Sequence, residues 1–118
     1  MAYTPNRIVG PVGVTSSHTI IHSVTQKTIV KQIIITNYSG STLPFSMFIL
    51  PSNGAQLIID SGLNLAVLDP YKLYGDITLT NNTTFTFEHS LILNAGEQIA
   101  VKSTTSNCIN VYINGVTI

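Results

Sequence analysis

"TIVKQIIITNYSGSTLPFSMFIL", residues 28–50, decides the fold class. Thr, Ile and Val dominate its first part and Phe, Met, Ile and Leu its last, and "NYSGS" between them is made of residue types that favour turns. β-Branched side chains lose rotamer freedom in a helix but pack well on a pleated surface. The stretch therefore reads as two strands, 28–36 and 43–50, about a short turn.

The same pattern recurs on both sides. "HTIIHSV" (18–24) precedes it, while "TFTFEHSLIL" (84–93), "QIAVKST" (98–104) and "INVYING" (109–115) follow. "AQLIID" (55–60), after the turn "PSNG", also reads as a strand, whereas "GLNLAVLDPYKLYGD" is less regular and allows a short helical turn around 65–68. Nowhere do apolar residues recur at helical spacing over three turns. About eight strands with turns every 8–12 residues predict an all-β chain: a single antiparallel β-sandwich, jelly-roll-like. In the last strand Tyr112 alternates out of phase with Ile109, Val111 and Ile113, which puts it on the face opposite theirs.

The chain has 118 residues, enough for one domain with its own core, and 44% of them are hydrophobic while only 8% are charged. Formal net charge is zero, and Arg7, Lys27, Lys31, Lys72 and Lys102 are dispersed along the sequence. Nucleic acid and anionic membranes select clustered cations, so neither is expected as a partner. A surface with so few charges does little to oppose association, which favours an oligomer or a larger assembly. Cys108 is the only cysteine, so the chain forms no internal disulfide and no Cys-based zinc site. "MAYTPNRIVG" lacks the basic and apolar segments of a secretory signal, and no apolar run is long enough to span a bilayer. These features fit a protein made in the cytoplasm.

Catalytic constellations are weakly signalled. Glu97 lies in "NAGE", between Leu93 and an alternating strand in which Ile99 and Val101 point one way and Ala100 and Lys102 the other, so it reads as a solvated turn residue. Asp60, Asp69, Asp76 and Glu88 are each isolated in sequence, and general acid–base chemistry needs a partner group held close by. His18 and His22 would meet on a helix, but in a strand they stand roughly 13 Å apart. His89 beside Ser90 lacks the glycine pattern of a nucleophile elbow, and Asp60 and Asp69 merely flank a loop too poor in oxygen ligands for calcium. No catalytic residue, no metal site and no cofactor is expected, and the chain does not read as an enzyme. Tyr38, Tyr71 and Tyr74 remain as aromatics on which a sugar ring would stack, with packing against the sandwich as the plainer use of Tyr71 and Tyr74.

The first 17 residues differ from the rest. "YTPNRIVGPVGVTSS" carries two prolines and two glycines among Ile8, Val9, Val12 and Val14, which suits an extended N-terminal arm (1–17) ahead of a sandwich domain (18–118). Such an arm either packs along its own domain as an edge strand or reaches a neighbouring protein by strand addition. In the second case Tyr3, Arg7, Ile8, Val9, Val12 and Val14 are the partner-binding residues.

An arm "RIVGPVGVTSS", the opening "TIVK", the strand end "ITN", the turn "LNAGEQI" and the closing "INGV", taken together, resemble small virion proteins of tailed bacteriophages. The resemblance covers most of the chain, and its motifs are those of strands and turns. It implies a non-enzymatic structural protein of the virion: a capsid decoration or head accessory protein, bound to the major capsid protein or other virion proteins by protein–protein contacts and displayed as a homo-oligomer, a homotrimer by family analogy. A tail or baseplate module that binds a receptor or carbohydrate is the alternative.

Overall fold

The structure, a computed structural model, describes residues 6–61 and 65–117. Its strands are β1 (Asn6–Gly13), β2 (Thr19–Ser23), β3 (Thr28–Asn37), β4 (Leu43–Leu50), β5 (Lys72–Leu79), β6 (Thr83–Leu93), β7 (Gln98–Ser103) and β8 (Ile109–Thr117). One helix, α1 (Gly54–Ser61), and a 3-10 helix (Leu65–Tyr71) join β4 to β5.

The chain doubles back along its whole length: β1 pairs with β8, β2 with β7, β3 with β6 and β4 with β5, every ladder antiparallel. Two further ladders, β3 with β8 and β4 with β7, gather these pairs into sheets of order β1-β8-β3-β6 and β2-β7-β4-β5. An eight-stranded double sheet of this connectivity is a jelly roll. The two sheets face each other across a core of Val30, Ile33 and Ile35 from β3, Phe45 and Met47 from β4, Ile99 and Val101 from β7, and Ile109, Val111 and Ile113 from β8. Burial alternates residue by residue along the second half of β3 and the first part of β8, as period-2 geometry requires of strands with one face in the core.

Strand β4 departs from alternation because both of its faces are covered. Phe45 and Met47 enter the main core, while Phe48 and Leu50 join Leu68 and Ala100 in a second apolar cluster beneath the helical connection. Burial on both faces is what makes "LPFSMFIL" almost continuously apolar.

The helical connection corrects the strand expected over 55–60. Asn53 accepts the first helical hydrogen bond from Leu57 N–H at 3.1 Å, and Leu57 and Ile58 then lie half-buried on the second cluster while Ala55, Gln56 and Ile59 face outward. Apolar runs of about six residues fit either structure, and the side that has something to pack against decides. The helical turn allowed around 65–68 is present as the 3-10 helix.

Two turns are tied down by their own side chains. Asn37, fully buried, donates to the carbonyls of Ser41 (2.8 Å) and Leu79 (3.1 Å) and accepts from the N–H and hydroxyl of Ser39, which satisfies its amide completely and shapes "NYSGS". In "NAGE" Gly96 adopts φ 94°, a conformation open to glycine at little cost, and its N–H reaches the Val24 carbonyl at 2.8 Å. The Glu97 carboxylate accepts the Asn94 N–H across the same turn, so Glu97 is a turn residue that closes its own loop.

An open sheet face and a charged cleft as candidate functional sites

Over Asn6–Gly13 the segment expected as an extended arm is the outer strand of the first sheet, hydrogen-bonded along β8. Pro11 lies on this edge strand, where its missing N–H costs no ladder bond. Val9 (5% exposed) and Val14 (0%) sit in the main core, and Ile8 and Val12 pack against it. Of the residues considered for a partner, the apolar four are thus used within the domain. Arg7 alone points outward, its guanidinium 5.3 Å from the centre of the Tyr112 ring. Tyr3 lies outside the described residues, as do the side chains of Asp60 and His89.

Arg7 and Tyr112 belong to the outer face of the first sheet. Registered rows across β8, β3 and β6 read Asn110, Thr36, Thr84; then Tyr112, Ile34, Thr86; then Asn114, Gln32, Glu88. Short polar bonds knit the rows: Thr36 to Thr84 at 3.0 Å, Asn114 amide to Gln32 at 3.0 Å, and Gln32 amide to Glu88 at 3.1 Å. Side chains held to one another in this way lose little further freedom when a partner arrives; Glu88 is the one formal charge in the rows, and beside them Lys31, at the bulge of β3, reaches the Ser90 hydroxyl at 3.3 Å. Among the described residues the helical connection packs on the other sheet, and nothing covers this face.

The second sheet's outer face is built differently. Where the helical cover ends, a cleft of about 170 Å³ opens between His18, Ser46, Phe48, Leu68, Asp69, Lys72, Asp76 and Lys102. Four of the chain's ten Lys, Arg, Asp and Glu side chains line it. They come from two strands, β5 and β7, and the 3-10 helix, so their separation in sequence concealed the cluster. Ser46 faces Lys102 on one side, and on the other a register shift in β5 sets Gly75 and Asp76 opposite it. Such a bulge re-aims a side chain, and here Asp76 takes φ 50°. The Ser46 hydroxyl donates to Asp76 Oδ1 at 3.0 Å and accepts the Asp76 N–H at 2.9 Å, which holds that conformation.

Charges within the cleft are unequally matched. Lys72 pairs with Asp69 at 3.3 Å, but Lys102 meets no carboxylate within ion-pair distance among the described residues. His18 packs edge-on against Phe48, ring centres 5.1 Å apart. Burial pushes its pKa down, and the ammonium groups of Lys102 and Lys72 push it further the same way, so its imidazole is neutral at pH 7.

The remaining sequence candidates are dispersed. His22 lines a separate depression with Arg7, Ile8, Thr25, Gln26, Thr28 and Thr117, and a register shift in β2 lies between it and His18. The described residues hold no cluster of three His, Cys, Asp or Glu able to bind a metal. Tyr71 packs on the second cluster, Tyr74 stacks on Phe87 at 4.9 Å, and Tyr38 is exposed. Cys108 donates weakly to the Ser106 carbonyl at 3.6 Å. No described helix is long and apolar enough to cross a membrane. No family model, curated protein or solved structure matches the chain.

Proposed function

We propose that this chain is a non-enzymatic structural protein of a virus particle of the tailed-phage kind, a capsid decoration or head accessory protein that attaches by protein–protein contact in several copies. The observation that carries the reading is the outer face of the first sheet: mostly polar and uncharged side chains with Arg7, Lys31 and Glu88 among them, internally hydrogen-bonded and uncovered among the described residues. Arg7 over Tyr112 supplies the residue types most favoured in interface cores.

Size argues for several copies. Four strands of about eight residues present on the order of 500 Å² of sheet face, short of the roughly 800 Å² per partner that a stable complex of standard size buries. One copy therefore holds weakly, and an oligomer binding through several such faces gains affinity by avidity. A trimer matches the family that the sequence resembles.

Removing residues 1–17 does not test attachment, because it also removes an edge strand and Val9 and Val14 from the core. The suitable variant is Tyr112→Glu, which places a charge on the face and leaves the core intact. Sedimentation of the wild-type protein with empty phage heads is expected to saturate, and the variant is expected to stay in the supernatant while remaining folded. Equal binding by both would reject the face as the anchor; no binding by the wild type would reject the head. The charged cleft favours one second reading, a receptor-binding module of the tail or baseplate.

A further inference from the structure

We infer that the cleft on the second sheet is a binding site for a small zwitterion, a molecule carrying an ammonium and an anionic oxygen group joined by a short linker. The inference stands on the cleft alone and is independent of how the first sheet docks. Four of the chain's ten Lys, Arg, Asp and Glu side chains line this one depression of about 170 Å³. Within it the Asp69–Lys72 pair neutralises itself. That leaves Lys102, without an acceptor, and Asp76, whose Oδ1 holds the Ser46 hydroxyl while Oδ2 has no donor among the described residues.

Lys102 and Asp76 are kept from each other by the strand between them. Both flank Ser46 of β4, Lys102 on β7 and Asp76 on the bulge of β5, and they form no ion pair. A fixed cation and a fixed anion facing one cleft are complemented in charge and in order by a ligand bearing the opposite charges at its two ends. A simple anion would satisfy Lys102 and face Asp76 unpaired, and a simple cation would do the reverse. An anion alone is also repelled by Asp76 and a cation alone by Lys102, so the bifunctional ligand is selected over either half. His18 assists by staying uncharged: it forms a wall beside Phe48 that does not repel the ligand's ammonium.

Two sources offer this chemistry, free amino acids and the phosphoethanolamine groups of lipid headgroups and surface polysaccharides. The test is a titration of the full chain, followed by amide chemical shifts, with β-alanine and O-phosphoethanolamine in separate arms and acetate, ethylammonium and inorganic phosphate as controls. Saturable shifts around Ser46, Asp76 and Lys102 are expected with at least one zwitterion, about tenfold stronger than with any control, as expected for loss of one charge-assisted hydrogen bond. Preference for one zwitterion identifies the source. Lys102→Gln and Asp76→Asn should each weaken binding about tenfold, with the amide spectrum of the unliganded protein otherwise retained. Asp76→Asn keeps an acceptor for Ser46 and a residue that tolerates positive φ, so folding is preserved. Inorganic phosphate or acetate binding as tightly as the zwitterions, or no saturable shift in any arm, overturns the inference.

Discussion

Ile34 and Phe48 are both large, apolar and pointed away from the space between the sheets, yet Phe48 is 2% exposed and Ile34 is only half-buried. The difference comes from one connection. After β4 the chain winds through α1 and the 3-10 helix across its own sheet, and Leu57, Ile58, Leu68 and Tyr71 close over Phe48 and Leu50. No such connection crosses the first sheet among the described residues. One outer face is thereby turned into a second core with a charged cleft at its margin, and the other is left uncovered among the described residues.

Truncation at the two positions is the strongest way to break this comparison. Phe48→Ala should cost about 3–5 kcal/mol in urea unfolding, the usual loss for an aromatic buried in a core. Ile34→Ala should cost no more than about 1 kcal/mol, since much of the side chain meets water already. Equal losses would mean that the first face is covered too. Asn37→Ala should rank next, at about 1–3 kcal/mol, because the buried carbonyl of Leu79 would lose its donor.

The cleft can be probed through pH. Burial lowers the pKa values of His18 and His22 from 6.5, and for His18 the two lysines add to the effect. As pH falls through 6.5 the unfolded chain takes up protons that the folded chain resists, so the unfolded state binds more protons and is favoured. Stability should be complete above about pH 6.5 and decline below it toward the folded-state pKa values. His18→Gln should flatten part of that slope, with the remainder belonging to His22. An unchanged slope would show that His18 is not dehydrated by the cleft. The smallest effect is expected from Asp69→Asn, at most about 1 kcal/mol, since the carboxylate is 59% exposed and its pair with Lys72 is screened by solvent.

The sandwich was legible in the sequence because period-2 alternation and turn residues are local signals. Ile33 and Ile35 inward, Ile34 outward, and Tyr112 opposite Ile113 follow from the pleat alone. The helix at Gly54–Ser61 was not legible, since Leu57, Ile58 and Ile59 spell a strand as readily as a helical face until Phe48 and Leu50 supply the surface it covers. The cleft was hidden for a related reason. His18, Ser46, Asp76 and Lys102 become neighbours only through the order β2-β7-β4-β5, and strand order has no local signature. Arg7, expected at a partner contact, stands exposed beside Tyr112, whereas its neighbours Val9 and Val14 belong to the core because β8 offers their strand a free edge within the same chain.

Nested pairing also sets a timetable. β4 and β5 meet across the helical connection that directly joins them, whereas Asn6 must wait for Gly115 before its ladder can close. On a ribosome, the β1 segment therefore emerges first and finds its place last, its valines without shelter during most of synthesis. Contacts of such long sequence separation make folding slow, on the order of milliseconds to seconds. Pro11 of that segment then acts before the fold exists: it discourages an unpaired edge from recruiting the wrong strand while the right one is still being made.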